Sequence, residues 1–396
     1  MFDVQFGFCN KGSYSGIGSR RIPLFYTKQQ MKFAAAMVFM GVKLRSGAAD
    51  GSDTAFEFGA KLAYDFLANF HNLPKGDYGR VMDIYLPWSG FNGRDKGSGY
   101  IDTVHPQAEA FTKKYHNYWE GLKVGAKKMM SRNAMQVLGT DLQEKARFIM
   151  CYTPCGSITN RETSSKSGGT GQAIRIGDDL KINVYNIGRP EHFLKVENWI
   201  SEIEIKIEEK YGVNLSRLVD MGLSARSPGE ARSGDLVKST LNGEHDIIIH
   251  GCNCQNTMGS GLAKQIRMAF PEAYNADLAT RKGDKRKLGT YSFAKVQRNN
   301  HPITIINAYT QDRWGRDEQK LYSDYEAIRN VMKSINEDFP SGRIVVPNLG
   351  AGLANGCWAT IANSLDTAFK GRQLTHMTLN NELALQAEPN TQQQLF

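Results

Sequence analysis

Ile247-Ile248-Ile249 precedes a polar, glycine-bearing stretch from His250 to Gly261, and Leu262-Ala263-Lys264-Gln265-Ile266-Arg267 follows it. Three β-branched residues in succession predict a buried strand, and the spaced apolar residues after the glycines predict a helix. The pattern recurs where Ile344-Val345-Val346 runs into Pro347-Asn348-Leu349-Gly350-Ala351-Gly352-Leu353. A strand that feeds a glycine loop and then a helix gathers backbone N–H groups at one place, which suits an anion or a diphosphate.

Between Glu191 and Tyr211, Phe193, Val196, Ile200, Ile203 and Ile207 recur at three-and-four spacing among charged residues. This predicts an amphipathic helix that Gly212 stops. Its apolar stripe is expected to pack on the domain before it; a dimer seam is the alternative. Ser224 to Glu230 has the composition of a linker. Ahead of the helix, strand-like and helix-like segments alternate, the pattern of a layered α/β fold. Its landmarks are Gly16 to Arg20, Leu44 to Asp53, Ile84 to Trp88, Arg132 to Gly139, and Ser167 to Ile174. Each is expected where a strand ends and a helix begins, the place where open α/β sheets bind ligands. The expected organisation is a first domain over 1–190, a helical connector and linker over 191–230, a second domain over 231–381, and a disordered, Gln-rich tail over 382–396.

Composition narrows the function little. The chain has 396 residues, 41% hydrophobic and 22% charged, which is ordinary for a soluble protein and long for a single core. No run is long and apolar enough to span a bilayer, and Met1 to Phe6 lacks the character of a signal peptide. A cytoplasmic protein without a membrane partner is therefore expected. Neither Cys151 with Cys155 nor Cys252 with Cys254 has zinc spacing with a matching second pair. The six cysteines, Cys9 and Cys357 included, are read as buried reduced thiols, with no metal or cofactor. Residues 1–190 carry 25 basic and 16 acidic side chains, against 19 and 16 over 231–396. A modestly basic first domain suits a phosphate-bearing ligand.

Gly234-Asp235-Leu236, the His250-Gly-Cys-Asn-Cys254 run, Met258-Gly-Ser-Gly261 and the loop Asn348 to Leu353 together resemble a macrodomain, the ADP-ribose-binding α/β/α fold. The likeness spans roughly 231–380 and is greatest to the branch that includes ADP-ribose-1''-phosphate phosphatases. It implies that Asp235 accepts from the adenine amino group, with Leu236 beside it. Asn253 would hold the distal ribose. Met258, Gly259 and Gly261 would approach the diphosphate, with Asn348, Gly350, Ala351, Gly352 and Leu353 as the opposing loop. His250 would be the catalytic residue, orienting water or donating a proton. Lysine-dependent ADP-ribosyl hydrolases of this class have a lysine where this chain has Gln311, and the protein-directed subset an aspartate where it has Ala354. Trp314 and Tyr309 are placed on the wall of the site, or, as the slightly favoured alternative, in the core as ordinary aromatics.

The five landmarks of the first domain resemble the SLOG superfamily, the Rossmann-like domains of DNA-processing protein A and the Lonely-guy phosphoribohydrolases. This implies a nucleotide site made by Gly18, Ser19, Arg20, Gly47, Asp53, Arg132, Asn133, Gly168, Gly169, Thr170 and Gly171. Where Lonely-guy enzymes carry a Thr and a Glu, this chain has Gln172 and Arg175. A guanidinium cannot act as a base at neutral pH, so binding is expected rather than ribosyl cleavage. Hydrolysis of ADP-ribose 1''-phosphate by the second domain, with a second nucleotide on the first, is the expected function. The alternatives are a non-catalytic sensor or sponge for an ADP-ribose-containing messenger, and nucleic-acid processing. The last is not expected, because the basic residues are scattered and no aromatic platform lies among them.

Overall fold

The computed structural model describes residues 11–116 and 118–379; Cys9 and the tail over 382–396 lie outside them. Contacts divide the chain into two compact units after Asp220.

In the first unit, β1 (Ser13–Gly18), β2 (Lys43–Ser46), β3 (Met82–Tyr85), β4 (Tyr100–Ile101), β5 (Phe148–Tyr152) and β6 (Asn183–Asn186) form one sheet in the order β4-β3-β2-β1-β5-β6. Every pairing is parallel. Such a sheet is buried on both faces, so its strands read as continuous apolar runs. β5 shows the consequence: Phe148 and Met150 enter one core cluster, while Ile149 and Cys151 enter another. The chain runs outward from β1 to β4 and returns on the other side at β5. The strand order therefore reverses between β1 and β5, which opens a crevice at their carboxyl ends.

The helix Pro190–Tyr211 buries Val196, Ile200, Ile203 and Ile207 in the first of those clusters. Gly212, in the left-handed region at φ +66, ends it. The apolar stripe is thus occupied within its own unit. Two landmarks are not strand-to-helix junctions. Ile84 to Trp88 ends β3 and runs on to β4 with no helix between them; Arg132 to Gly139 departs further. It is the last part of the helix Val124–Leu138, with Gly139 after its end.

In the second unit, β7 (Glu230–Ser233), β8 (Ile247–Asn253), β9 (Tyr291–Arg298), β10 (His301–Gln311), β11 (Ile344–Val346) and β12 (Leu374–Thr378) lie in the order β7-β12-β11-β8-β10-β9. Only β9 runs antiparallel, joined to β10 through Asn299 and Asn300 at φ +50 and +61, the left-handed pair that a two-residue hairpin turn requires. β8 is central, with Ile248 opposite Ile305 on one side and Val345 on the other. The three share a core with Ile266 and Phe270. Both units are mixed α/β with parallel sheets, as the alternating segments predict. Among the described residues no helix is long and apolar enough to cross a membrane.

Candidate functional site

A cleft of about 960 Å³ lies over the second sheet. Its lining comes from the carboxyl ends of five adjacent parallel strands. Gly234 and Leu236 follow β7, Met377 to Leu379 end and follow β12, residues drawn from Pro347 to Ala354 follow β11, others drawn from His250 to Ala263 end and follow β8, and Gln311, Trp314, Gly315 and Arg316 end and follow β10. The cleft therefore runs across the strands, from an apolar end at Leu236 and Met377 to a polar end at Asn253, Gln311 and Arg316.

Local chemistry shapes each wall. Asn253 closes β8, where its Oδ1 accepts from Gln255 N at 2.9 Å and from the Thr257 hydroxyl at 3.0 Å, and its Nδ2 donates to the Thr257 carbonyl at 3.1 Å. One side chain thus folds the loop that leads to Gly261. There the helix Gly261–Ala269 begins; its cap residue Ser260 makes no side-chain hydrogen bond to the first turn. The first-turn N–H groups of a helix have no intrahelical acceptors, so this end carries a partial positive charge toward the cleft. Gly261 sits at φ +55, a conformation that most side chains resist. On the opposing wall, Gly350 O accepts from Gly356 N and from the Ser323 hydroxyl, which fixes the turn that presents Gly352 and Leu353 to the cleft. Asn348 Oδ1 is held by His376 Nε2 at 2.6 Å.

Of the residues predicted for this site, Leu236, His250, Asn253, Gly259, Gly261, Asn348, Gly350, Gly352 and Leu353 line one cleft. Three predicted residues are not among those that line it. Asp235 caps the helix Leu236–Leu241, its Oδ1 accepting from Lys238 N at 2.9 Å. Met258 is buried in the apolar core with Ile248 and Ile266, and Ala351 turns the loop through Ala351 N to Asn348 O. Tyr309 is buried as well, its hydroxyl donating to Asp277 at 2.9 Å. Trp314, by contrast, stands 62% exposed at the mouth, near Arg316. Thr257, Arg316 and Met377 also line the cleft and were not foreseen. An aromatic-glycine-basic run just past the end of β10 was the available signal for Arg316.

His250 does not have the properties expected of an acid. It is 1% exposed, and its Nε2 lies 2.8 Å from Asn307 Oδ1. Burial lowers its pKa to about 4, against a smaller upward pull from Asn307. At that value the ring is neutral at pH 7, and its Nε2 faces Asn307 inside the protein. Among the described residues that line the cleft there is no carboxylate, amine or thiol; the chemistry there is backbone amide, neutral polar groups, one imidazole and one guanidinium.

In the first unit, predicted residues from three elements meet at the carboxyl ends of β1 and β2. Arg132 and Asp53, 4% exposed each, pair at 3.7 Å. Desolvation raises the Asp53 pKa even though Arg132 and Arg20 pull it down. Gly47 permits this pairing, since a Cβ there would lie 1.1 Å from Arg132 Nη1. Asn133 faces the other way, donating to Gln172 Oε1 at 3.0 Å and to Gly169 O at 3.4 Å. Gly168, Gly169, Thr170 and Gly171 lead into and begin the helix Thr170–Asp179, while Gly18 ends β1 and Ser19 and Arg20 follow it. Arg175 donates to the Tyr115 carbonyl and to Thr163, a framework role. Cys155 departs from the buried-thiol expectation. It is exposed, and hydrogen bonds with Ser157, Ser167 and Thr153 outweigh the effect of burial and bring its pKa down to about 7.

The family described as the Macro domain matches residues 249–365. An uncharacterized 17.5 kDa protein from the tk-vs intergenic region of Enterobacteria phage T4 is 39% identical over 140 residues, 34% of this chain and 85% of that protein. A DNA ADP-ribosyl glycohydrolase of Mycobacterium tuberculosis is 26% identical over 138 residues; the match spans 38% of its length. Among solved structures, the macrodomain of Mycobacterium tuberculosis DarG aligns at 21% identity and a TM-score of 0.32, covering 38% of this chain and 97% of that one. Thermosipho africanus DarTG in complex with ADP-ribose aligns at 18% identity and a TM-score of 0.30, covering 45% and 50%.

Proposed function

The chain belongs to the Macro domain family through residues 249–365, and on that premise we propose that the cleft of its second unit is a receptor for ADP-ribose or a derivative of it. The observation that carries the reading is the pairing of an uncapped helix start at Gly261 with the Gly350 to Leu353 loop in one cleft. A diphosphate between them would accept from backbone amides, and the cleft volume is within the range of small-molecule sites. The adenine would lie at the apolar end, against Leu236 and Met377, and the distal ribose near Asn253 and Gln311. The mycobacterial relative is named for an ADP-ribosyl substrate, which supports the same skeleton.

Binding is favoured over acid–base catalysis. Glutamine at 311 and alanine at 354 leave the cleft without the amine or carboxylate of lysine-dependent hydrolases, and His250 is neutral and tied to Asn307. One feature favours a phosphate-bearing derivative: Arg316 borders the polar end of the cleft, where a 1''-phosphate on the distal ribose would meet its guanidinium. Calorimetry with ADP-ribose and ADP-ribose 1''-phosphate, alongside an assay for released phosphate, tests both readings. Tight binding of either without phosphate release supports a receptor. Release that disappears in His250→Ala supports the phosphatase, and no heat with either ligand rejects the site.

For the first unit the reading is a nucleotide site at the crevice between β1 and β5. It is supported by the strand reversal there and by the cluster of Arg20, Asp53 and Arg132. Thermal shift with a panel of nucleoside mono-, di- and triphosphates tests it; no shift of the first unit's transition with any of them rejects it.

A further inference from the structure

The loop that carries Asn253 is anchored from behind by a closed set of buried polar side chains that takes no part in lining the cleft. Asn256 is 7% exposed and sits in the left-handed region at φ +55. Its Nδ2 donates to the carbonyls of Asp277 and Thr280, and its Oδ1 accepts from Lys287 Nζ at 2.7 Å. Lys287, 8% exposed, lies 3.5 Å from Asp277 Oδ1 and 4.2 Å from the centre of the Tyr309 ring. Tyr309 in turn donates to that same Asp277 oxygen. The opposite Asp277 oxygen is buried without a partner, so the carboxylate depends on Lys287 and Tyr309. A buried ammonium and carboxylate are tolerated only when each keeps its partners, and that requirement confines the geometry of whatever joins them. Here it confines Asn256. Thr257, Gly259, Ser260 and Gly261, the next residues along, line the cleft.

We infer that Lys287 is a positioning residue for the ligand. Through Asn256 it sets the loop that meets the distal ribose and diphosphate, and so favours the full ADP-ribose skeleton over a mononucleotide. This rests on the reading of the cleft as an ADP-ribose receptor. AMP, with one phosphate and no distal ribose, would occupy the Leu236 and Met377 end and would not need the anchored loop.

The test compares wild type with Lys287→Met and Lys287→Arg, and with Asn256→Gly, which removes the anchor but tolerates the left-handed backbone. Calorimetry is run with ADP-ribose and with AMP, and amide hydrogen exchange is followed without ligand. Lys287→Met and Asn256→Gly are expected to weaken ADP-ribose binding by about tenfold or more and AMP binding by less than about twofold, with Lys287→Arg recovering part of the loss. Exchange should quicken over 253–260 and stay unchanged over 344–353. A purely structural role would weaken both ligands together and raise exchange throughout the unit, which overturns the inference. So would unchanged exchange over 253–260 in Asn256→Gly. Failure of the wild type to bind ADP-ribose overturns the reading of the cleft, while the exchange data still decide the anchor.

Discussion

Asn307 fixes the tautomer of His250. Its amide nitrogen donates to the Ala273 carbonyl at 2.8 Å and to the Ser292 hydroxyl at 3.0 Å, so its oxygen faces the ring and accepts from His250 Nε2 at 2.8 Å. His250 is thereby a neutral imidazole with its proton on Nε2, held within the sheet beneath the cleft.

This state has a consequence for stability. The unfolded chain takes up a proton on this histidine near its ordinary pKa of about 6.5, whereas burial holds the folded value at about 4. Between those values the unfolded state binds more protons, so stability falls as the pH drops and levels off below about 4. His376, buried beside Arg226, is lowered to about 4 by burial and by that charge, and acts in the same direction. The loss from His250 alone is on the order of 3 kcal/mol. Melting of the second unit from pH 7 to pH 4 should show it, and His250→Gln should flatten the curve. An unaltered pH profile in that variant would contradict the account.

Asn253→Ala removes three loop hydrogen bonds with one side chain. ADP-ribose binding should weaken by about 1–3 kcal/mol, read by calorimetry. An unchanged affinity would show that the loop does not contact the ligand.

Gly259 and Gly352 line opposite walls of the cleft, and a Cβ at either would meet no protein atom within 4 Å. Neither has a positive φ. Gly259→Val and Gly352→Val should therefore fold with melting temperatures close to wild type, yet weaken ADP-ribose binding by about tenfold or more by filling its space. Full affinity in both would move the ligand elsewhere.

In the first unit, Arg132→Met leaves the Asp53 carboxylate buried without its charge partner. A loss of about 3–5 kcal/mol is expected in denaturant unfolding, and adding Asp53→Asn should return part of it. A single variant as stable as wild type would mean that the pair bears no structural role.

The sequence revealed what periodicity and glycine spacing encode. Ile247 to Ile249 could be read as a buried strand because three β-branched residues follow one another, and Val196 to Ile207 as a helix because its stripe repeats at three and four. The two cleft loops were legible as strand-glycine-helix junctions. Side-chain direction within a loop was not: Met258 and Gly259 are neighbours, yet one enters the core and the other faces the cleft. Asp235 lies at the foreseen turn and its carboxylate caps a helix N–H, the local role that competes with the adenine contact and that sequence cannot rank against it. Arg132 to Gly139 looked like a junction because its glycine was visible and the helix around it was not strongly patterned. The anchor of Asn256, Asp277, Lys287 and Tyr309 was hidden for another reason. Its members are scattered along the chain, in a loop, two helical turns and a strand, and only the fold brings them together.

On this reading ADP-ribose lies across the carboxyl ends of β7, β12, β11, β8 and β10. A crystal soaked with ADP-ribose decides it. The expected result is density with the diphosphate between the Gly261 amide end and the Gly350 to Leu353 loop, and the adenine against Leu236 and Met377. An empty cleft with intact ligand in the drop, or ligand bound at another face, would contradict it.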